Sequence, residues 1–563
     1  MADERLELSS VTLLDNKTYY FEDEIARQSI FIFTIDGFNT SRIFSQWWDL
    51  SDNGVDTKYQ HLEKFFAMLA RSWAGKKYTL QYYKPSVSSS PVMTPVDDLE
   101  GKSAAQLCTD TTSPVEDWAD NDPMTWYVRA NALSLADGTM NILAIEGLDD
   151  DFDLTGETAP VWTFSMALWK KEWELGDYKY KSWATTQLDE YYKPYAGDVD
   201  PNTNKKRIMT WRPTFPGSLT ADGTKLTSGV GGKPYLFVGA ATAITKARAM
   251  DAYEGLWNDA DAIWVLDMWQ LRHFNLENSG ICEGCQSYNF QYKCAVGETG
   301  VKRVLLTAAQ AGNLQVGSNL MIGEQGANTN NDRGQAYNRN IAEAATILSI
   351  EDVEVGGVAY KAVNVDTDDT FDTTTTTLVS TIAWSSGNTE KLPGHKDGAC
   401  HSLTAGQNPL RVQGVEMMSG AYDIGLDPLY NVTNFANSKG DYAVYECRNS
   451  EKLAGSITAD YEDTGISYAQ MPQGWNYPKA FAETDKAVLF PAELGGSTSA
   501  YYKSGFFGAN SAGVRCPWRY GNLNFGADAG LACVVGSATP SSSYWYGRPR
   551  LSGSGKKRGV WAA

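Results

Sequence analysis

Near its C-terminal end the chain carries Gly508-Ala-Asn-Ser-Ala-Gly-Val-Arg-Cys-Pro-Trp-Arg-Tyr-Gly-Asn-Leu-Asn-Phe-Gly-Ala-Asp-Ala-Gly-Leu-Ala-Cys533, followed by Ser541-Ser-Ser-Tyr-Trp-Tyr-Gly-Arg-Pro-Arg-Leu551. Large polar aromatic residues and arginines alternate here with small residues, in turns rather than in periodic elements. Tyrosine, tryptophan and arginine present broad amphipathic surface at low entropic cost, and serine, glycine and asparagine adapt their hydrogen bonding. This composition predicts a surface that binds another molecule.

The same residues carry a family resemblance. The order Arg519-Tyr-Gly-Asn522, Phe525-Gly-Ala-Asp-Ala-Gly-Leu531 and Trp545-Tyr-Gly-Arg548 resembles the end of C-type-lectin-like domains in phage receptor-binding proteins. That group includes the tropism determinants varied by diversity-generating retroelements. The likeness covers residues 505–551, and a weaker likeness to tail or head fibre proteins of gut bacteriophages extends back to about residue 235.

The resemblance implies a ligand-binding face and the glycines that hold it. The implied ligand-binding residues are Arg515, Trp518, Arg519, Tyr520, Phe525, Asp528, Tyr544 and Tyr546. The glycines expected where a side chain would collide are Gly521, Gly526, Gly530 and Gly547. Trp545 has the opposite phase to its two tyrosine neighbours in an extended segment, so we expect it to point into the core. The alternative is that all these aromatic residues belong to the core.

Length and charge limit the classes of protein. A chain of 563 residues is too long for one ordinary core, so about two to four domains are expected. The formal net charge of −20 argues against nucleic acid as the main partner. The chain has no apolar run long enough for a membrane span and no secretory signal at its start, and we expect neither. A phage structural protein that is released by lysis needs neither.

One basic cluster lies near the end of the chain, at Arg548, Arg550, Lys556, Lys557 and Arg558. We predict a solvated tail. The alternative is contact with an anionic glycan or a neighbouring subunit.

No cofactor or metal is predicted. The eight cysteines are too sparse for a disulfide scaffold, and Cys282-Glu-Gly-Cys285 lacks a second pair at the short spacing of zinc sites, so buried free thiols are expected. The acidic loops at 149–153 and 198–204 invite a calcium interpretation. The second lacks the glycine and glutamate of an EF-hand loop, and we predict solvated turns. Trp257-Asn-Asp259 matches a calcium motif of animal lectins, but its position between helices indicates coincidence.

Residues 1–204 are predicted to form a β-rich region with one helix, used for virion attachment or oligomerisation. Ile30–Ile35 has the composition of a strand, and residues 133–142 predict a hairpin with a type I′ turn at Asp137-Gly138. Apolar residues recur at helical spacing from Tyr59 to Trp73, with Gly75 as a stop signal.

Residues 205–295 are predicted to be the first part of a C-type-lectin-like domain. We expect a strand at 235–238, a helix capped by Thr245 that extends through Tyr253 to Trp257, and a second helix that begins at Asp259 or Asp261.

Short strands without long helices follow, which predicts an inserted small β-barrel or sandwich over residues 296–385. Residues 386–563 then complete the lectin-like domain and carry its ligand-binding face. The predicted fold class is therefore mainly β with α+β character.

Catalytic patterns are weak. None of the four histidines lies in a nucleophile elbow or a zinc-protease motif, and His61 and His273 fall on predicted helices. We predict that the chain is not an enzyme. We expect a homotrimeric virion fibre, on the tail or the head, that attaches to a bacterial surface receptor, protein or glycan, and contacts other virion proteins. The alternatives are a structural decoration without receptor binding and an enzyme that acts on carbohydrates or modifies sulfatases.

Overall fold

The computed structural model describes residues 10–12, 18–20, 40–51, 54–482, 486–553 and 558–561. The predicted strand at 30–35 lies outside these residues, as do Lys556 and Lys557. The described part is mainly β, as predicted, and none of its sheets closes into a barrel.

Six α-helices lie in the described part. They are α1 (Thr40–Ser51), α2 (Lys58–Ser72), α3 (Trp118–Asn121), α4 (Ala240–Met250), α5 (Asp259–His273) and α6 (Ala308–Ala311). Short 3₁₀ turns are Ala196–Asp198, Ala336–Asn338, Asn388–Lys391, Ser450–Lys452 and Gly526–Asp528.

The strands of the first half form two larger sheets and two short hairpins. The five-stranded sheet has the order Lys193–Pro194, Trp169–Leu175, Tyr178–Ala184, Tyr78–Tyr83, Thr94–Asp97. The four-stranded sheet has the order Met209–Pro213, Val161–Met166, Tyr127–Ser134, Met140–Ile145. The hairpins are Ser10–Thr12 with Thr18–Tyr20 and Ser218–Leu219 with Leu226–Thr227.

The strands of the second half form three larger sheets. The sheet that carries the predicted ligand-binding residues, the C-terminal sheet, has the order Gly474–Asn476, Phe506–Gly508, Val534–Val535, Trp518–Arg519, Tyr422–Ile424, Gly547–Pro549. A second has the order Glu462–Pro472, Lys439–Glu446, Leu429–Ala436, Gly513–Arg515, and a third the order Val415–Met417, Leu410–Val412, Asp397–Ala399, Leu107–Cys108. Pro478–Phe481 pairs with Pro491–Leu494.

The chain between residues 291 and 382 forms a six-stranded sheet of its own, the insertion sheet. Its order is Gln291–Lys293, Thr377–Ile382, Asn319–Glu324, Ala342–Val355, Val358–Val365, Arg303–Leu306. It has a separate apolar core that includes Val304, Ile322 and Val363. The sheet does not close into a barrel, so the barrel alternative is wrong, although an isolated bridge between Val296 and Leu305 lies where its two edges approach each other.

Helix α2 is the predicted amphipathic helix. Thr57 caps it in a capping box, in which the Gln60 amide donates to the Thr57 oxygen and the Thr57 amide donates to the Gln60 side chain. The apolar face, which includes Leu62, Phe66 and Leu69, is fully buried. The sequence signals and the packing agree, so this prediction is confirmed.

Helix α5 is buried along all fifteen of its residues, and its charged side chains are paired. The ion pairs are Asp259 with Arg519, Asp261 with Arg212, Asp267 with Lys181, and Arg272 with Asp397. Asn258 caps the helix by accepting from the Asp261 amide at 3.0 Å. The residues of the apparent calcium motif thus have structural partners, and the helix begins at Asp259 as predicted.

Two elements of the predicted 205–295 segment differ. Residues 235–238 form no strand, and α4 begins after Gly239 and ends at Met250, so Thr245 lies inside the helix and Trp257 outside it. The Gly239 cap makes no side-chain hydrogen bond. A helix that begins without a side-chain cap lacks the signal that the prediction depended on.

The hairpin at 127–145 is confirmed, but its turn is not type I′. The Leu135 amide donates to the Thr139 carbonyl at 2.9 Å, and only Gly138 of the turn pair has positive φ, at 81°. A type I′ turn needs positive φ at both central residues.

One hydrophobic core joins both halves of the chain, with Phe65 and Trp126 in the same cluster as Trp264, Leu410 and Trp518. The strand Leu107–Cys108 pairs in parallel with Asp397–Ala399. The boundary predicted at residue 204 therefore does not coincide with a break between cores.

Candidate functional site

A pocket of about 530 Å³ opens on the C-terminal sheet. Five of the eight predicted ligand-binding residues line it: Arg515, Trp518, Phe525, Tyr544 and Tyr546. We call it the aromatic pocket. It depends on the parallel pairing of Gly547–Pro549 with Tyr422–Ile424, since the Tyr422 amide donates to the Tyr546 carbonyl at 2.8 Å.

Aromatic rings form the walls of the aromatic pocket. Tyr544 and Tyr546 stack at 5.1 Å with 14° between their planes, and the Trp518 ring meets both edge-on at about 6 Å. Tyr422 contacts Phe525 edge-on at 5.2 Å. Tyr544 is 49% exposed, so its ring is the most accessible large apolar surface at the mouth.

Short polar residues form the rim of the aromatic pocket. They are Asn510, Ser511, Asn524, Ser537, Thr539 and Ser542, while Asn522 lines the pocket but is only 2% exposed. The Asn522 side chain accepts from the Asn524 amide at 2.8 Å, which fixes the turn between them. Neither asparagine is among the ligand-binding residues expected from the sequence, and nor is Tyr422. Only the pairing of distant strands brings Tyr422 to the site.

Trp545 forms the inner wall of the aromatic pocket, as its phase predicted. It is 9% exposed and packs in a cluster with Tyr288, Met321 and Ile382, while the Arg333 guanidinium lies 4.5 Å from its ring centre. The insertion sheet therefore supports the pocket from behind.

At two positions of the site, only glycine fits, because a Cβ would collide with a neighbouring side chain. A Cβ at Gly547 would lie 2.8 Å from the Trp518 ring, and one at Gly521 would lie 2.5 Å from the Ala529 Cβ in a backbone with φ of 107°. Gly526 meets nothing within 4 Å, so collision does not explain it, and its φ of 56° is the constraint.

Arg519 and Tyr520 do not contribute to the binding face. Arg519 is 1% exposed and pairs with Asp259 of α5, and Tyr520 is fully buried with its hydroxyl accepting from the Trp257 indole at 2.8 Å. Burial raises the pKa of Asp259 to about 6, although the Arg519 charge opposes the shift. Both predicted anchors are thus core residues, because Asp259 of α5 and Trp257, just before that helix, supply partners that lie far away in sequence.

Arg515 and Asp528 have local roles. The Arg515 guanidinium donates to the Ser511 hydroxyl at 2.7 Å and to the Ala512 carbonyl at 3.1 Å, so it folds back and fastens the rim turn. Asp528 does not line the aromatic pocket; it accepts from the Tyr477 hydroxyl at 2.5 Å.

A buried carboxyl supports the loop behind the site. Glu277 accepts from the Leu531 amide at 2.7 Å and the Ala532 amide at 2.6 Å, and from the Ser504 hydroxyl at 2.8 Å. Burial raises the pKa of Glu277 to about 7 against the opposing effect of these donors.

The described part of the basic cluster is not a solvated tail. Arg548 donates to the Trp384 carbonyl at 2.8 Å, and Arg550 pairs with Asp423 at 3.0 Å. Arg558 pairs with Asp427 at 2.8 Å. All three side chains are at most 5% exposed. They lie in the core because Arg550 and Arg558 neutralise buried carboxylates there and Arg548 donates to a buried carbonyl.

The eight cysteines are free and buried, as expected. Burial raises the pKa of the Cys282 and Cys285 thiols well above the usual range. The described residues contain no group of three or more histidine, cysteine, aspartate or glutamate side chains that could hold a metal ion. The acidic loop at 198–204 is only partly solvated, since Asp198 is 1% exposed and accepts from the Thr210 hydroxyl at 2.6 Å.

No known protein family matches this chain, and no curated protein matches it as a relative. The resemblance to phage receptor-binding proteins therefore remains a prediction from the residues of the C-terminal segment. Across the described ranges, no helix has the length and apolar character needed to cross a membrane.

Proposed function

We propose that this protein is a bacteriophage virion fibre protein that binds a receptor on the bacterial surface, protein or glycan, through the aromatic pocket of a lectin-like C-terminal region. The observation that carries the proposal is the combination of ring faces and short amides in one pocket. Stacked Tyr544 and Tyr546, backed by the buried Trp518, offer flat apolar faces, and the asparagine, serine and threonine rim offers hydrogen bonds. Such a mixture is typical of ligand-binding surfaces.

The site residues proposed to contact the receptor are Phe525, Tyr544 and Tyr546, and Asn524 joins them from the rim. The predicted anchor Trp518 is 1% exposed and Asn522 is 2% exposed, so both support the pocket rather than contact the receptor. Arg515 shapes the rim, while Arg519, Tyr520 and Asp528 are left out because their side chains are engaged elsewhere.

Adsorption to cells tests the proposal. Labelled protein is incubated with intact cells of a panel of gut bacteria, and Tyr544→Ala is compared with the natural chain on any strain that is bound. Loss of the exposed ring should weaken binding by about 1–3 kcal/mol with the fold intact. Far-ultraviolet circular dichroism confirms folding.

The matched control is Tyr83→Ala. Tyr83 stacks on Tyr178 at 4.7 Å and is 39% exposed, so it has the same kind of environment on another sheet. It should leave adsorption unchanged. Equal loss in both variants, or none in Tyr544→Ala, would contradict the proposed site. Absence of adsorption to every strain would favour a structural decoration instead.

A further inference from the structure

We propose a second binding site, for an acidic sugar, in a pocket on the opposite half of the sequence. The pocket measures about 570 Å³ and lies between three segments: the start of α2, the hairpin loop around Asp137, and residues 200–208. We call it the hairpin pocket. It shares no lining residue with the aromatic pocket, so the inference does not depend on the function proposed above.

The central observation is an arginine without an acceptor. Arg207 lines the hairpin pocket and is 7% exposed, yet its guanidinium donates no hydrogen bond to any described residue, and its Nε and Nη2 atoms are buried without a partner. It lies over the Trp211 ring at 5.0 Å, which holds its plane. A buried cation without an acceptor costs free energy, and a carboxylate matches the guanidinium fork.

The protein's own carboxylates in the pocket do not fill that role. Asp137 accepts from the Thr139 amide at 2.9 Å, and Asp200 accepts from the Thr203 amide at 2.8 Å, so each caps its own turn. Neither is within ion-pair distance of Arg207 among the described contacts. Burial and the Asp200 charge raise the pKa of Glu63, and the Arg207 charge opposes that shift.

The rest of the lining suits hydroxyl groups on a ring. Thr139 and Asn141 contribute polar side chains from the hairpin, and Tyr59 and Ile142 contribute apolar surface. Lys205 adds a positive charge near the mouth. Three acidic residues in the same pocket disfavour a dianion such as phosphate. A monoanion with several hydroxyls, that is, a uronic-type sugar, meets both the guanidinium and the polar lining.

Isothermal titration of the full chain with D-glucuronate tests the site, with D-glucose and inorganic phosphate as comparison ligands. Glucuronate should bind at least about tenfold more tightly than glucose, because only glucuronate forms a charge-assisted pair with Arg207, which contributes over about 1.4 kcal/mol. Phosphate should also bind more weakly than glucuronate, because the acidic lining repels a dianion. Arg207→Gln should lose at least about tenfold in affinity. Arg303→Gln, whose side chain pairs with Glu298 in the insertion sheet, should not.

A second pair of variants keeps Arg207 in place in case its replacement unfolds the chain. Asn141 is exposed on its strand, so Asn141→Trp should block the hairpin pocket without disturbing the core, while Asn141→Ala should leave the pocket open. Glucuronate binding that survives in both Asn141→Trp and Arg207→Gln would overturn the proposal. So would equal binding of glucose, preference for phosphate, or no binding of glucuronate.

Discussion

Tyr544 and Trp545 are neighbours in the chain, but their rings lie in different environments. Tyr544 is 49% exposed at the mouth of the aromatic pocket, and Trp545 is 9% exposed against the Arg333 guanidinium. Alternation along an extended segment accounts for the difference. This alternation predicts the inward position of Trp545 from the sequence alone, without knowledge of any distant contact.

Replacement of Trp545 by alanine should lower the free energy of unfolding by about 3–5 kcal/mol, because it leaves a cavity among buried residues. Tyr544→Ala should change stability by less than about 1 kcal/mol. Urea unfolding followed by fluorescence measures both. If Tyr544→Ala unfolds the chain while Trp545→Ala is neutral, the two faces of the segment are reversed.

Glu277 predicts a pH dependence. Its folded pKa is about 7, above the ordinary value of about 4.3, so the folded state holds the proton more tightly than the unfolded state. The stability from this group is fully present below the unfolded pKa and is lost as pH rises through about 7.

Glu277→Gln removes that titration. Between about pH 5 and about pH 8, the variant should lose less stability than the natural chain as pH rises. Urea midpoints across this range test the difference. An identical slope in both proteins would show that Glu277 is ionised throughout.

The burial of Arg519 could not be predicted from its neighbours in the sequence. Its place between Trp518 and Tyr520 in an aromatic segment is typical of a binding face, yet Asp259 pairs with it inside the core. No residue near Arg519 in the sequence indicates that it pairs with Asp259, which lies on α5. Long-range pairing decided its role, as it decided the burial of Tyr520 against Trp257.

At the scale of elements, predictions succeeded where local signals were complete. Helix α2 has a capping box and a regular apolar face, and its bounds were close to those expected. Helix α4 has no side-chain cap, and the sequence placed it too late. The strands of the insertion sheet were recognised from their composition, but their arrangement as one open sheet depends on pairing that no short segment specifies.

The insertion sheet should be separable. Within the part of the chain that the structure describes, its strands pair only with each other. The Thr381 amide donates to the Phe290 carbonyl at 2.9 Å, so the chain enters and leaves at adjacent points. Replacement of residues 291–380 by a short Gly/Ser linker should leave a soluble remainder that unfolds cooperatively. The remainder should be less stable than the whole chain, because Trp545 loses Arg333 and Met321.

Thermal unfolding by calorimetry measures that outcome. Complete loss of folded protein would show that the insertion sheet is part of the main core. A remainder with unchanged stability would show that its contacts with Trp545 contribute little.

For the whole molecule, we predict a homotrimer. The reasons are the resemblance to phage fibre proteins and the avidity that repeated weak sites gain in a symmetric assembly. Light scattering at micromolar concentration should give about three times the chain mass. A stable monomer under those conditions would contradict the prediction.

Burial of Arg550 and Arg558 has a consequence for synthesis. Their ion-pair partners, Asp423 and Asp427, precede them in the chain and leave the ribosome earlier. The strand Gly547–Pro549 must likewise wait before it can join Tyr422–Ile424. A nascent chain therefore holds two acids without their cations and an unfinished sheet until residues 547–558 have emerged, and a product released before that point exposes both to cellular proteases and chaperones.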